Sequence, residues 1–162
     1  MTISEGDRLP EATLARMGDN GPEQVQMSDL VAGKKVVIFG LPGAYTGTCS
    51  TAHVPSFMRT MDGLGAKGIE AVYCVSVNDP FVMDAWGKDT GATTAGIGML
   101  GDPAAEFTKA IGMNFTAPPV GFFDRSRRFA MMVEDGTVKV LHLEENPGVC
   151  ETSSGEAMLD AI

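Results

Sequence analysis

The segment Lys35–Leu41 (KVVIFGL) constrains the fold more than any other part of the chain. It contains four consecutive apolar residues and is followed at once by Pro42-Gly43, which ends the run. An uninterrupted apolar run of this length is typical of a strand that is buried on both faces of a parallel sheet. The segment therefore predicts a parallel sheet that is covered by helices on both sides.

Predicted helices and strands alternate after this segment. Apolar residues recur at helical spacing beyond Ser50, and Pro55 predicts a kink near the start of that helix. Two Asp-Pro pairs each combine an N-cap residue with the proline favoured at the first helical position. In chain order we predict a helix from Ser50 to Leu64, a strand over Ile69–Val77, a helix from Asp79-Pro80, a strand over Ile97–Leu100 and a helix from Asp102-Pro103 to Ile111.

The pattern changes in the last third of the chain. Phe129–Val133 and Thr137–Leu143 predict two strands, and the Asp135-Gly136 pair between them is a strong signal of a tight hairpin. Ser153 and Glu156 have the spacing of a capping box ahead of a final helix. The whole order predicts one domain over residues 1–162 with a thioredoxin-like α/β fold, in which a central mixed sheet is flanked by helices.

Charge and cysteine content exclude several classes of function. The net charge of −9 repels phosphate backbones and anionic lipid, so we expect neither a nucleic-acid nor a membrane partner. No apolar leader opens the chain and no segment has the length of a membrane span, so we expect a cytoplasmic protein. Three widely spaced cysteines are too few for a disulfide scaffold and leave at least one free thiol.

Candidate chemistry is concentrated in the segment Gly40–Ser50 (GLPGAYTGTCS), where a predicted strand turns into a predicted helix. Loops of this kind are the usual ligand sites of α/β sheets. A thiol in the first turn of a helix faces unpaired N–H groups and the positive end of the helix dipole, which favour the thiolate form of Cys49. The hydroxyl of Thr46, one turn earlier, can donate to that sulfur, and Pro42 supplies a rigid apolar wall.

A cluster of basic residues, Arg125-Ser126-Arg127-Arg128, stands out in this acidic chain. Charge runs of this kind are usually solvated. Strand alternation, however, sends Arg127 and Arg128 to opposite faces, so one of the two is expected to point inward. A buried guanidinium needs an anionic partner.

Other arrangements of the cysteines and histidines are less favourable. His53 follows Cys49 by one helical turn, which allows a Cys–His nucleophile pair, but no third orienting group accompanies them. His53 and His142 could join Cys49 and Cys150 around a metal ion, yet no spacing pre-forms such a site, and no metal or other cofactor is expected. A thioredoxin-type exchanger needs two cysteines two residues apart, whereas the intervals between Cys49, Cys74 and Cys150 are 25 and 76 residues.

The residues Pro42, Thr46 and Cys49 have the spacing P-x-x-x-T-x-x-C, and the chain resembles the peroxiredoxins on this basis. It is most similar to the type II or peroxiredoxin-5-like branch of that family. The segments Val75–Trp86 (VSVNDPFVMDAW) and Arg125–Gly136 (RSRRFAMMVEDG) also look like that branch. The resemblance covers nearly the entire chain and implies the thioredoxin-like fold predicted above.

The resemblance also implies an activity and the roles of four residues. It implies a thiol-dependent peroxidase that reduces hydrogen peroxide and small organic hydroperoxides through a sulfenic acid on Cys49. Thr46 and Pro42 match the flanking motif positions, and Arg128 matches the arginine that completes the site. A thiol redox sensor or chaperone-like protein of the same fold, without efficient turnover, is the alternative that the sequence leaves open.

The partners implied by the resemblance are a peroxide, a thiol reductant and a second copy of the chain in a homodimer. The reductant could be glutathione, glutaredoxin or thioredoxin. Relatives resolve the sulfenic acid with a cysteine either at the position of Cys74 or near the chain end, where this sequence has Cys150. Two residues depart from the branch, since Tyr45 stands where Phe is usual and Gly47 where Pro is frequent.

Overall fold

The computed structural model describes residues 1–162 and contains nine strands, five α-helices, one π-helical turn and one 3-10 turn. The strands are β1 (Thr13–Gly18), β2 (Gly21–Gln26), β3 (Lys35–Gly40), β4 (Ala71–Ser76), β5 (Gly98–Gly101), β6 (Asn114–Ala117), β7 (Phe122–Ser126), β8 (Phe129–Glu134) and β9 (Thr137–Leu143). The helices are α1 (Met27–Val31), α2 (Val54–Ala66), α3 (Pro80–Thr90), α4 (Glu106–Ala110) and α5 (Gly155–Ala161). A π-helical turn, Cys49–His53, leads into α2, and a 3-10 turn, Pro118–Val120, joins β6 to β7. Among the helices, none has the length and apolar character needed to cross a bilayer.

Seven strands form one mixed sheet in the order β2-β1-β5-β4-β3-β8-β9, which confirms the predicted fold class. Strands β3, β4 and β5 are parallel to one another, as the apolar run of β3 predicted. Antiparallel strands border them, with β1 beside β5 and β8 beside β3. The remaining strands, β6 and β7, form a separate antiparallel pair.

The sheet divides the core into two apolar layers because successive side chains of each strand point to opposite faces. In β3, Val36 and Ile38 contribute to the first layer, which also contains residues of α1 and α4. Val37 and Phe39 contribute to the second layer, which is covered by α2, α3 and α5. All four side chains are fully buried. This two-sided burial explains why the β3 sequence has no polar alternation.

Strand register brings the end of β3 beside the start of β8. Gly40 is directly opposite Phe129, and a Cβ atom at Gly40 would overlap the Phe129 ring. The two strands are antiparallel, so the residues that follow Gly40 and those that precede Phe129 meet at the same end of the sheet. The loop that leads to Cys49 and the basic cluster are therefore neighbours in space.

Most predicted elements are present, and the differences have local causes. The β1–β2 and β6–β7 hairpins were not predicted, because their strands are polar or very short. The helix expected from Asp102-Pro103 begins only at Glu106, since Asp102 accepts from the N–H groups of Phe107 and Thr108 instead of from the residues directly after it.

The capping-box prediction at the last helix is also wrong. Ser154 is the N-cap of α5, and its hydroxyl accepts from Ala157 N at 3.1 Å. Ser153 does not cap α5, because its hydroxyl donates to Glu144. Glu156 pairs with Arg59 on α2 at 2.7 Å instead of reaching back to the N-cap.

The close packing of α5 on α2 generates a stability prediction at two glycines. A Cβ atom at Gly155 would overlap the backbone of Ser56 and the hydroxyl of Thr60, whereas a Cβ atom at Gly65 would meet no atom within 4 Å. We expect Gly155→Ala to lower the free energy of unfolding by about 1–3 kcal/mol. Gly65→Ala, in an exposed part of α2, should raise it by about 0.5–1 kcal/mol. Urea unfolding of the two variants checks this, and equal effects would contradict the described packing.

Candidate active site

The loop between β3 and the π-helical turn is tied to the neighbouring strand and helix by hydrogen bonds. Ala44 N donates to the side chain of Asn78, just after β4, at 3.0 Å. Tyr45 has a positive φ of 63°, and its hydroxyl donates to Asp89 of α3 at 2.6 Å. Trp86 of α3 donates to the Ser50 hydroxyl at 3.0 Å. These contacts fix the position of the thiol at the end of the loop.

Cys49 lies at the start of the π-helical turn, and its sulfur is fully buried. The Thr46 hydroxyl is 2.9 Å from Sγ of Cys49 and 2.7 Å from the carbonyl oxygen of Gly43. A hydroxyl carries one hydrogen, so it donates to one of these two acceptors at a time. When Cys49 is a thiolate, the charged sulfur is the stronger acceptor, and Thr46 can donate to it.

Arg128 is the second side chain that contacts this sulfur. Only 1% of its surface is exposed, which makes it the largest buried charged group in the chain. Its Nη2 donates to Sγ of Cys49 at 3.2 Å and its Nε to the carbonyl oxygen of Pro147 at 2.9 Å. No carboxylate pairs with it, so Cys49 is the only side chain in contact with it that can carry a negative charge. The structure thus turns Arg128 inward, while Arg127 stays partly exposed.

His53 is the third group that contacts the guanidinium of Arg128. Its Nδ1 lies 3.0 Å from Nη1 of Arg128, and its Nε2 lies 3.0 Å from the carbonyl oxygen of Ser153. Burial, together with the Arg128 charge, lowers the pKa of His53 from 6.5 to about 3, against the opposing Ser153 hydrogen bond. The ring is therefore neutral, with its proton on Nε2 facing the only available carbonyl and its Nδ1 accepting from Arg128.

This arrangement excludes the Cys–His nucleophile pair. A ring with so low a pKa does not take a proton at neutral pH, and its free nitrogen faces the guanidinium instead of the sulfur. The two histidines and two cysteines considered above as metal ligands do not form a metal site either. The structure has no group of three or more His, Cys, Asp or Glu side chains that could hold a metal ion. His53 is a neutral hydrogen-bond acceptor for Arg128.

An open pocket of about 310 Å³ lies beside the two side chains that contact the sulfur. Thr46 and Arg128, the two donors to Cys49, line it together with Pro42. The opposite wall is apolar and comes from the β6–β7 pair and its connecting turn, with Phe115, Ala117, Val120 and Phe122. The site therefore combines a buried sulfur, two directed hydrogen-bond donors and an apolar cavity of a size that suits a small molecule.

Arg125 contacts two residues that line this pocket, Pro42 and Phe122, a role that the sequence did not indicate. Its Nη1 donates to the carbonyl oxygen of Pro42 at 3.0 Å, and its guanidinium lies 5.3 Å from the centre of the Phe122 ring. A Cβ atom at Gly43 would overlap this guanidinium, which explains the glycine at that position. The first arginine of the basic cluster thus supports the loop, and the last one contacts the sulfur.

The two other cysteines are free thiols in different surroundings. Cys74 is fully buried in β4, in the same core layer as Cys49, and burial raises its pKa well above 9.0. Cys150 is partly buried in the segment between β9 and α5, and burial is also the main cause of its raised pKa. Neither thiol is ionised at neutral pH, so Cys49 is the thiol whose contacts favour an anion.

Comparisons with known proteins identify the family to which the chain belongs. The Redoxin family matches residues 4–159. Peroxiredoxin-2E-2, chloroplastic, from Oryza sativa subsp. japonica is 46% identical over 99% of the chain and 73% of its own length. A crystal structure of reduced Prx3 from Vibrio vulnificus in complex with hydrogen peroxide superposes with a TM-score of 0.93 and 42% identity over 99% of both chains. Peroxiredoxin 5 from Alvinella pompejana superposes with a TM-score of 0.86 and 29% identity, covering 98% of this chain and 97% of its own.

The low pKa of His53 generates a prediction about stability and pH. The unfolded chain binds a proton on this ring near pH 6.5, whereas the folded chain binds it only near pH 3. Between these values the unfolded state holds more protons, so the free energy of unfolding falls as the pH is lowered, by at most about 1.4 kcal/mol per pH unit from this group. We expect the free energy of unfolding, measured with denaturant between pH 4 and 7, to change less steeply with pH in His53→Gln than in the wild type. An unchanged slope would contradict the neutral buried ring.

Proposed function

The chain belongs to the redoxin family and is a peroxiredoxin, a thiol-dependent peroxidase, and from that premise we propose that Cys49 is the sulfur that attacks the peroxide. Thr46 and Arg128 are the donors to the reacting atoms, and Pro42 shields the sulfur on one side. The observation that carries this assignment is that two donors, the Thr46 hydroxyl and Nη2 of Arg128, both lie within hydrogen-bonding distance of Sγ of Cys49.

The proposed reaction follows from the charges around the sulfur. The Cys49 thiolate attacks the nearer peroxide oxygen, so that the S–O bond forms as the O–O bond breaks. The leaving oxygen becomes negative and takes up one proton, which yields a sulfenic acid on Cys49 and one molecule of water or alcohol. Arg128 and Thr46 are placed to donate to the oxygen as its charge develops, and such donors act most strongly in the transition state.

The pocket supports hydrogen peroxide and small organic hydroperoxides as substrates. Its donors, Thr46 and Arg128, suit the two oxygens that all peroxides share. Its apolar side, which includes Val120 and Phe122, suits the organic group of an alkyl hydroperoxide. The crystal complex of the Vibrio vulnificus relative with hydrogen peroxide is consistent with the smaller substrate.

The sulfenic acid must react with a thiol before a second peroxide oxidises it further. Cys150 is the first internal candidate, because it lies in a segment without regular structure whose Gly148 carbonyl accepts from Thr48, next to Cys49. Cys74 is the second, since it sits in a central strand and would reach Cys49 only after local opening. An external thiol, from glutathione, glutaredoxin or thioredoxin, completes the cycle.

Two further parts of the proposal concern assembly and location. The large apolar side chains that are exposed include Tyr45, Phe81, Val120 and Phe123. Tyr45 is next to Thr46, and Val120 lies on the pocket wall. These exposed side chains support a homodimer that buries them. Three free cysteines suit a reducing compartment, which supports a cytoplasmic location. No observation favours the sensor or chaperone-like alternative.

The contrasting positions of the last two arginines of the cluster lead to a prediction about activity. Arg128→Met removes a donor to the reacting atoms, so the rate constant of Cys49 with hydrogen peroxide should fall by about a hundredfold or more. Arg127→Met, at the neighbouring partly exposed position, should change it less than about twofold. Stopped-flow measurement of the first turnover checks this. Equal and small effects would show that the cluster is only a solvated charged patch.

The identity of the resolving thiol is tested by mass mapping after one equivalent of peroxide. We expect a disulfide between Cys49 and Cys150 to exceed one between Cys49 and Cys74, and glutathione to form a mixed disulfide on Cys49 when it is present. Cys49→Ser, the control, should consume no peroxide, while Cys74→Ser and Cys150→Ser still react with one equivalent. A quantitative disulfide between Cys49 and Cys74 would refute this order.

A further inference from the structure

A buried carboxylate outside the pocket organises the segment that faces Arg128. Glu144 follows β9 directly and is only 5% exposed. Its Oε2 accepts from Glu151 N at 2.9 Å, from Ser153 N at 2.7 Å and from the Ser153 hydroxyl at 2.6 Å. We call residues 144–153 the clasp segment, because this carboxylate joins its first residue to its last.

The clasp segment supplies two of the groups that hold the catalytic arginine. Pro147 offers its carbonyl oxygen to Nε of Arg128. Ser153 offers its carbonyl oxygen to His53, which in turn accepts from Nη1 of Arg128. The backbone N–H of Glu144 donates to the Arg128 carbonyl oxygen at 3.0 Å. The direction of the guanidinium therefore depends on where the backbone of this segment lies.

No helix or strand holds the clasp segment in place. Three hydrogen bonds to Glu144 hold its closing end, together with the contact of the Ser153 carbonyl group with His53. Burial opposes ionisation of Glu144, but the hydrogen bonds from Ser153 and Glu151 outweigh it and lower the pKa of this carboxyl below 4.5. An ionised acceptor makes stronger hydrogen bonds than a neutral one.

We propose that Glu144 is a positioning residue for the peroxidase reaction, which holds the Pro147 and Ser153 carbonyl groups where they aim Arg128 at the sulfur of Cys49. The carboxylate of Glu144 accepts hydrogen bonds from N–H and hydroxyl groups of its own segment and not from the guanidinium. The charge of Arg128 thus stays available for the sulfur and for the peroxide. The inference rests on the proposed roles of Cys49 and Arg128.

The test compares Glu144→Gln with Glu145→Gln. Glu145 is the adjacent carboxylate, exposed and without a side-chain hydrogen bond, so it is a matched control. The readout is the pH profile of iodoacetamide alkylation, assigned to Cys49 by peptide mass mapping. Loss of one charge-assisted hydrogen-bond network should move the midpoint of this profile upward by about one pH unit and slow the reaction with peroxide by about tenfold. Glu145→Gln should change neither quantity.

A double-mutant cycle separates positioning from a purely structural effect. If Glu144 acts through Arg128, then Glu144→Gln shifts the profile in the wild-type background but produces no further shift in Arg128→Met. Equal shifts in both backgrounds, or no shift in either, would overturn the inference. Should Glu144→Gln fail to fold, Ser153→Ala removes one of the three hydrogen bonds and should shift the profile in the same direction by a smaller amount.

The same experiment distinguishes this inference from the proposed function. Alkylation reports on Cys49 whether or not the protein turns over peroxide. An absence of peroxide reduction by the wild-type chain would contradict the assignment of Cys49, whereas an unchanged profile in Glu144→Gln would contradict only the role of Glu144.

Discussion

A buried guanidinium without a carboxylate partner is the interaction on which the site depends. Removing a charge from water is costly unless another charge and well-directed hydrogen bonds compensate it. Arg128 donates to two neutral acceptors, the carbonyl oxygen of Pro147 and the ring of His53, and the one acceptor that can be negative is Cys49. A carboxylate at the place of His53 would neutralise Arg128 and weaken its interaction with sulfur. The neutral ring of His53 orients the guanidinium without neutralising its charge, which stays available for the Cys49 sulfur.

The sheet explains how residues far apart in sequence reach this contact. Gly40 and Phe129 are opposite each other in adjacent antiparallel strands, so the loop after the first and the basic cluster before the second lie at one sheet edge. The π-helical turn then places Cys49 and His53 on the side that faces Arg128. The glycine at position 40 leaves room for the Phe129 ring beneath the site. Packing of the core thus determines the distance between sulfur and guanidinium.

Local patterns in the sequence were sufficient to predict the centre of the fold and the position of the Cys49 sulfur, but not the groups that support this sulfur. The apolar run of β3 and the glycine-rich loop predicted where Cys49 lies, and the resemblance to peroxiredoxins singled out Arg128 over Arg127. The role of Glu144 depends on a segment with no periodicity, so nothing in the sequence indicated it. The spacing between Cys49 and His53 allows a role as a base, and it does not reveal that the ring of His53 turns toward Arg128. The helix starts predicted from Asp102-Pro103 and from Ser153 are wrong, because the side chains of Asp102 and Ser153 bond to more distant groups than their local motifs require.

The ultraviolet absorbance of thiolate, compared at neutral pH between the reduced protein and Cys49→Ser, tests most directly whether sulfur is the anion that balances Arg128. Cys74 and Cys150 are present in both proteins, and burial raises the pKa of each, so they cancel in the difference. If Cys49 is the counter-anion, the difference equals the absorbance of one thiolate. If the two proteins absorb equally, Arg128 is buried without an anionic partner, and the electrostatic basis of the site is contradicted.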